Sequence, residues 1–290
     1  MAPKREYSSL EQTFIGAASG TIEAAASQPT VAIKNAVQEG RPIQFNPRFM
    51  YTGLTVNAAS IAPITAVQFG ANRALAPLFA DKSGELSPVM KIATSGAAGM
   101  ISSLVSAPAE LVMIQQQRTG ASLGATFKSL VSTKGPAVLY RGLTMTAMRE
   151  GLYVSFVLGT TPVLTQQLEP AVGSPSLAFT LAGLASGIGA AVMTHPFDTM
   201  KTFVQGNALE PKQLSSAEVA STVNSRGGLS AFYKGFAARG ARLVGAIFIL
   251  NGSKYYFEKA LDWYKASGDA TTAVSQQAVE CEKAAPAKQT

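Results

Sequence analysis

The chain repeats one proline-centred skeleton three times, and this repetition limits its possible folds more than any other feature. Pro196 is followed by Asp198 at plus two, Lys201 at plus five and Gln205 at plus nine. The same offsets after Pro108 hold Glu110, Met113 and Gln117, and after Pro29 they hold Val31, Lys34 and Gln38. A small residue stands thirteen positions before each proline (Gly16, Ser95, Gly183) and a glycine nine before (Gly20, Gly99, Gly187). An aromatic-X-glycine turn follows each copy, at Tyr51-Thr52-Gly53, Tyr140-Arg141-Gly142 and Tyr233-Lys234-Gly235. Matching offsets in three copies define an internal repeat of roughly 80 to 90 residues. No copy has a full hydrophobic surface of its own, so the repeats at 1–86, 87–173 and 174–265 are read as one assembled unit. Residues 266–290 are Ala, Thr, Gln, Glu and Lys without periodicity and read as a disordered tail.

Composition points to lipid as the solvent. Charged residues are 14% of the chain, against about 25% in globular proteins. Gly, Ala, Ser and Thr crowd the apolar stretches, as in membrane helices that pack backbone to backbone. Six segments, near 9–38, 54–79, 88–119, 143–168, 175–207 and 235–264, reach the roughly 20 residues that a bilayer requires. Each carries a polar stripe, the pattern of helices that line a water-filled space. The three prolines are expected to bend the odd helices. Connections after the odd segments hold Arg41, Arg48, Arg118, Lys128, Lys134, Arg141, Lys212, Arg226 and Lys234, whereas those after the second and fourth hold little beyond Lys82. By the positive-inside rule the basic connections face the matrix or cytoplasm-equivalent side and both termini face the other. Short amphipathic helices fit around Leu123–Ser132 and Ala217–Asn224. The corresponding stretch of the first repeat is shorter and contains two prolines, so its helix is expected to be truncated or absent.

Several classes are disfavoured. The net charge of +7 suits loops beside anionic lipid, and no nucleic-acid motif accompanies it. The single cysteine, Cys281, excludes a disulfide framework and a cysteine-based metal site. No nucleophile–base pair, metal cluster or phosphate loop suggests an enzyme, and no cofactor is implied. No cleavable signal precedes the first repeat.

The prolines, their acids and bases and the aromatic-X-glycine turns together resemble the mitochondrial carrier family, from Ser9 to about Trp263. Its Pro-X-acid-X-X-base signature is complete in the third repeat, and the first and second each miss one charge. The resemblance implies an all-α membrane protein: six transmembrane helices in a threefold pseudosymmetric bundle of helix–loop–helix repeats around a central cavity. It also implies alternating access, residence in the inner mitochondrial membrane and a monomer, unless the chain is recruited as a subunit of a larger complex. Within that family pattern Lys34 is expected to pair with Asp198 and Lys201 with Glu110, closing the matrix side. The third pair, Val31 with Met113, lacks both charges together, and replacing both members of a buried pair by apolar groups is often near neutral. Gln38, Gln117 and Gln205 are expected to brace the bridges. The resemblance implies cardiolipin phosphates at Gly53, Gly142 and Gly235, where even helices begin, the plainer alternative being that these glycines only permit the turn.

Counting from those glycines places Asn57, Thr146 and Arg239 at plus four and Ser60, Arg149 and Arg242 at plus seven. Four and seven share a helical face, and plus seven lies about 10 Å along the helix. Glu150 at plus eight and Tyr153 at plus eleven complete the set in the second repeat. Arginine suits a carboxylate and Glu150 could answer an ammonium, so a small zwitterionic or anionic metabolite of amino-acid or carboxylate type is the expected substrate. The plainer alternative is that Arg149 and Glu150 neutralise each other or neighbouring helices. Glu23 either faces the cavity or pairs with an arginine, and His195 is expected to pack beside its proline. Trp263 and Tyr264 read as an interfacial anchor. The family's outer charges are missing: the acid positions hold Arg73, Pro162 and about Lys254, and the base positions Ala76, Thr165 and about Phe257. That departure keeps open a non-transporting carrier-fold subunit or scaffold.

Overall fold

The computed structural model describes residues 9–81, 84–212, 214–242, 245, 249, 252, 253, 256, 257 and 259–261. The tail after 265, Trp263, Tyr264, Lys254 and Lys82 lie outside them. The chain divides into two compact units, one of Met1–Ala26 with Gly245–Thr290 and one of Ser27–Val244. Only the second is rich enough in described side chains to build a site.

Regular structure among the described residues is entirely helical. In chain order it comprises α1 (Ser9–Glu39), α2 (Pro47–Met50), α3 (Leu54–Leu75), α4 (Pro88–Thr119) and α5 (Leu123–Lys134). Then follow α6 (Leu143–Val154), a π segment (Ser155–Thr160), α7 (Thr161–Val172), α8 (Pro175–Gly206) and α9 (Ser216–Ser225). Residues 236–242 are helical as well. The first repeat's connection holds only the single turn α2 where the others hold α5 and α9. Each odd helix runs through its proline as one element.

The sequence sets the starts of these helices locally. Ser87 and Ser174 each precede a proline, and each side chain accepts from the backbone N–H three residues on. That is a helix N-terminus written as Ser-Pro. Ser215 and Glu218 close a capping box at α9, and the Ser215 N–H holds the Glu218 carboxyl below the ordinary range. The turn glycines Gly53, Gly142 and Gly235 sit at φ 86°, 80° and 81°, a left-handed backbone that side chains resist.

Burial is inverted relative to a water-soluble protein. Ser102, Ser103, Ser106, Gln115, Gln117, His195, Asp198, Lys201 and Gln205 are buried, while Met100, Leu104, Phe179, Leu184, Ile188 and Met193 lie on the outside. Such a surface is a liability in water and natural in hydrocarbon. By length and composition, three stretches among the described residues can cross a membrane: Pro47–Leu78, Pro88–Thr119 and Pro175–Gly206.

Small residues decide how closely α4 approaches α6. A Cβ on Gly99 would lie 2.4 Å from the Glu150 carbonyl oxygen, and one on Gly96 would lie 2.5 Å from Ser155 Oγ. Downstream, the π segment meets Pro162, which has no N–H to give the preceding turn. A wider turn leads up to it: Thr161 N–H bonds the Phe156 carbonyl, and the hydroxyls of Thr160 and Thr161 reach Ser155 O and Phe156 O. A Cβ on Gly159 would lie 2.7 Å from the Ile92 backbone, so this segment also packs tightly on α4.

This contact gives the first prediction. Gly99→Ala forces backbone against backbone and is expected to cost about 1–3 kcal/mol, seen as a lower thermal midpoint of the detergent-purified protein. Gly183→Ala, whose added Cβ meets nothing within 4 Å, should leave the midpoint unchanged or raise it. Equal midpoints for the two variants would contradict the packing argument.

Candidate functional site

The skeleton's charges meet near the ends of α1, α4 and α8. Lys34 Nζ is 2.7 Å from Asp198 Oδ2, and Lys201 Nζ is 3.0 Å from Glu110 Oε2. Lys201 also stands 3.5 Å from Asp198 Oδ1 on its own helix. The two bridges therefore share ions. Asp198 and Lys201 are almost completely buried, with side chains 4% and 3% exposed, so their charges must be compensated within the protein.

Only one glutamine supports a bridge. Gln38 donates to Asp198 Oδ2 at 3.1 Å and to Thr199 Oγ1 at 3.2 Å. The expectation for the other two is corrected. Gln117 accepts from Asn35 at 2.7 Å and donates to the Thr52 carbonyl at 3.3 Å. Gln205 donates to the Ala107 carbonyl at 3.4 Å. Gln117 stands at the vertex where Val31 and Met113 supply no charges, so backbone and amide partners take their place. Val31 and Met113 are both buried, and Met113 lies over the turn at Gly53, where an added Cβ would be 2.6 Å from its Cγ. An amide chain extends through this vertex: Gln28 also donates to Thr52 O at 3.0 Å and accepts from Asn57 at 2.9 Å.

The residues read as a separate cavity tier prove to be joined to the bridges. Arg149 Nη2 donates at 2.6 Å to Glu110 Oε1 and at 2.6 Å to Glu150 Oε1, and its Nε is 3.8 Å from Asp198 Oδ1. Arg239 donates to Thr194 Oγ1 at 2.6 Å, and its Nη1 lies 3.8 Å from Asp198 Oδ2. Gln68 donates to the other Glu150 oxygen at 3.3 Å. Arginine length explains the merger: a guanidinium can reach one helical turn away from its own Cα. Tyr153 is 37% exposed, Ser60 donates to the Asn57 carbonyl at 2.9 Å, and Arg242 lies on the same helical stretch as Arg239. Thr146 departs from the offset rule. It is fully buried, and its hydroxyl bonds the Gly142 carbonyl at 3.0 Å, so it presents no polar atom to a solute here.

Gln28, Asn35, Gln68 and Thr194 were not singled out from the sequence. Gln28 and Thr194 had a signal, since they occupy minus one and minus two of the same proline skeleton. Asn35 and Gln68 had none. His195 packs between Tyr233 and Phe236, ring centroids at 5.8 and 5.2 Å, and its Nε2 reaches the Lys234 carbonyl at 3.0 Å. A carbonyl partner makes Nε2 the protonated nitrogen. Among the described residues no group of three His, Cys, Asp or Glu could hold a metal ion.

Long helices, apolar outside and polar within, with ion pairs clustered beside the prolines, are the features of a membrane protein with a polar interior. The family model described as mitochondrial carrier protein matches residues 84–168 and 173–264, and the chain belongs to that family. Membership makes it a transporter of the mitochondrial membrane rather than an enzyme. It is 30% identical over 222 residues to the mitochondrial glycine transporter YMC1 of Saccharomyces cerevisiae, covering 70% of this chain and 72% of that protein. It is 27% identical over 254 residues to mitochondrial citrate transporter B of Aspergillus niger, covering 79% and 86%. To mitochondrial glycine transporter B of Danio rerio it is 33% identical over 126 residues, 42% of each chain.

The shared ions give the second prediction. Glu110→Lys and Lys201→Glu should each destabilise by about 3–5 kcal/mol, the usual cost of stranding a buried charge. The double reversal should recover only part of this, because a cation at position 110 would then face Arg149. A double-mutant cycle on thermal midpoints that shows no coupling contradicts the pairing. At the uncharged vertex, Val31→Glu alone should be worse than Val31→Glu with Met113→Lys.

Proposed function

We propose that this chain carries a small zwitterionic metabolite of amino-acid type across the inner mitochondrial membrane by alternating access. The path runs through a bundle of six spans formed from the repeats 1–86, 87–173 and 174–265. The supporting observation is the internal pair of Arg149 with Glu150, 2.6 Å apart and linked through Glu110 to the bridges. A zwitterion can replace that pair one charge for one: its carboxylate takes Arg149 and its ammonium takes Glu150, and no buried charge is left alone. A substrate carrying only carboxylates would strand Glu150 and would have to draw on Arg239 and Arg242 instead. Glycine and citrate, the solutes in the relatives' names, share the carboxylate and differ in the amine.

In this reading Asn57, Ser60 and Tyr153 line the solute path with Arg149, Glu150, Arg239 and Arg242. Lys34, Asp198, Glu110 and Lys201 shut it on the matrix side. Pro29, Pro108 and Pro196 let the odd helices flex. The helix starts at Gly53, Gly142 and Gly235 hold anionic lipid phosphates such as those of cardiolipin, and the protein works as a monomer.

Uptake of labelled glycine and citrate into liposomes containing the purified protein tests the proposal. Arg149→Ala and Arg242→Ala should each lose uptake. Arg149→Ala should also lower the thermal midpoint, because it strands the buried Glu150. Arg149→Lys, which keeps the charge but not the bidentate fork, is therefore the variant that should lose uptake near the parental midpoint. The loss of one charge-assisted contact, about 2 kcal/mol, corresponds to roughly thirtyfold in affinity. Glu150→Gln should weaken glycine uptake and spare citrate. Full uptake by Arg149→Ala sinks the assignment. No uptake of any amino acid, keto acid or nucleotide would favour a non-transporting subunit.

A further inference from the structure

Beyond the glutamines, one residue further along each odd helix, a second ionic layer joins all three repeats. Plus ten from the prolines falls on Glu39, Arg118 and Gly206. Helix ends leave their last carbonyls without partners and carry partial negative charge. Here neighbouring repeats supply the donors. Arg41, just past α1, reaches the Gln117 carbonyl of α4 at 3.4 Å. Arg118 of α4 donates to the Gly206 carbonyl of α8 at 2.5 Å and to Asn207 Oδ1 at 3.0 Å. Gln115 adds bonds to the Gln205 and Gly206 carbonyls at 2.6 and 2.8 Å.

The Glu39 carboxylate sits in the middle of this ring, its side chain only 3% exposed. An acid among helix C-termini is unfavourable unless cations hold it. Arg41 grips it with two bonds of 3.0 and 2.8 Å, and Arg118 Nη1 lies 3.9 Å away. Gly206 provides the room: a Cβ there would stand 2.6 Å from Glu39 Oε2 and 3.0 Å from its Cγ. The layer's three repeat positions are thus an acid, a base and a clearance.

We infer that Glu39, Arg41, Arg118 and Gly206 form a second lock across the matrix mouth, which must open with the Lys34–Asp198 and Lys201–Glu110 bridges when the solute leaves. The inference rests on the carrier reading given above. The layer supplies the charges that the Val31/Met113 vertex lacks, and it ties α1 to α4 at that same seam through Arg41.

The test uses the full chain in liposomes, with Cys281→Ser as background and Ser60→Cys as reporter on the solute path. An impermeant maleimide is confined to the matrix-equivalent side. Glu39→Gln and Arg118→Gln should each raise labelling about tenfold, and the double variant should add little to either. Gly206→Ala keeps every charge and displaces the carboxylate, so it should raise labelling even if the charge variants do not fold. Asp198→Asn is the reference for the bridges themselves. If Asp198→Asn raises labelling and Glu39→Gln and Gly206→Ala do not, the second lock is overturned and the carrier reading survives. If none of the variants raises it, the gate reading falls and the lock falls with it.

Discussion

The structure depends on the Asp198 carboxylate, a buried anion that gathers cations from four helical stretches, its own included. Lys34 bonds it directly, Lys201 approaches from its own helix, Arg149 and Arg239 stand at 3.8 Å, and Gln38 adds a neutral donor. Burying a single charge is expensive, and the surrounding elements must stay close enough to compensate it. Position therefore follows from electrostatics. α1 is drawn to α8 through Lys34, and α6 is drawn in through Arg149, which also takes Glu110 and Glu150.

Around this cluster the hydrophobic effect contributes little to holding helix against helix, since the outer faces are apolar already. Close backbone approach takes its place, as where Gly99 lies under the Glu150 carbonyl. The same residue that sets the packing distance between α4 and α6 thus helps set how closely Glu110 of α4 meets Arg149 of α6. Packing and site are one arrangement.

Much of this was legible in the sequence, because threefold repetition acts as an internal alignment. The prolines, their charges and the turn glycines could be compared among repeats, and the short connection in the first repeat announced the reduced α2. Side-chain reach was not legible. Offsets place Arg149 and Glu110 on different tiers, and only the length of a guanidinium joins them. Gln117 and Gln205 share an offset with Gln38 yet bond backbone carbonyls, because what a glutamine braces depends on the partner opposite. Thr146 illustrates the same limit, since a hydroxyl can satisfy its own helix and withdraw from any solute. Glu39 and Arg118 were readable one step past the glutamines, where opposite charges occupy one repeat offset.

The π segment Ser155–Thr160 alters how the second repeat should be compared with its siblings. A wide turn accommodates one residue more than an α-helix of the same rise, so everything beyond it is shifted in phase by about one position. Pro162 and Thr165, aligned by counting from Gly142, are then out of register with Arg73 and Ala76. Their spatial counterparts become Val163, which is buried where Pro162 is not, and Gln166. Neither residue carries a charge. Repeat arithmetic along the second repeat's even helix is therefore valid only up to Val154, and from there to the end of that helix homologous position in the fold and homologous position in the count are different things.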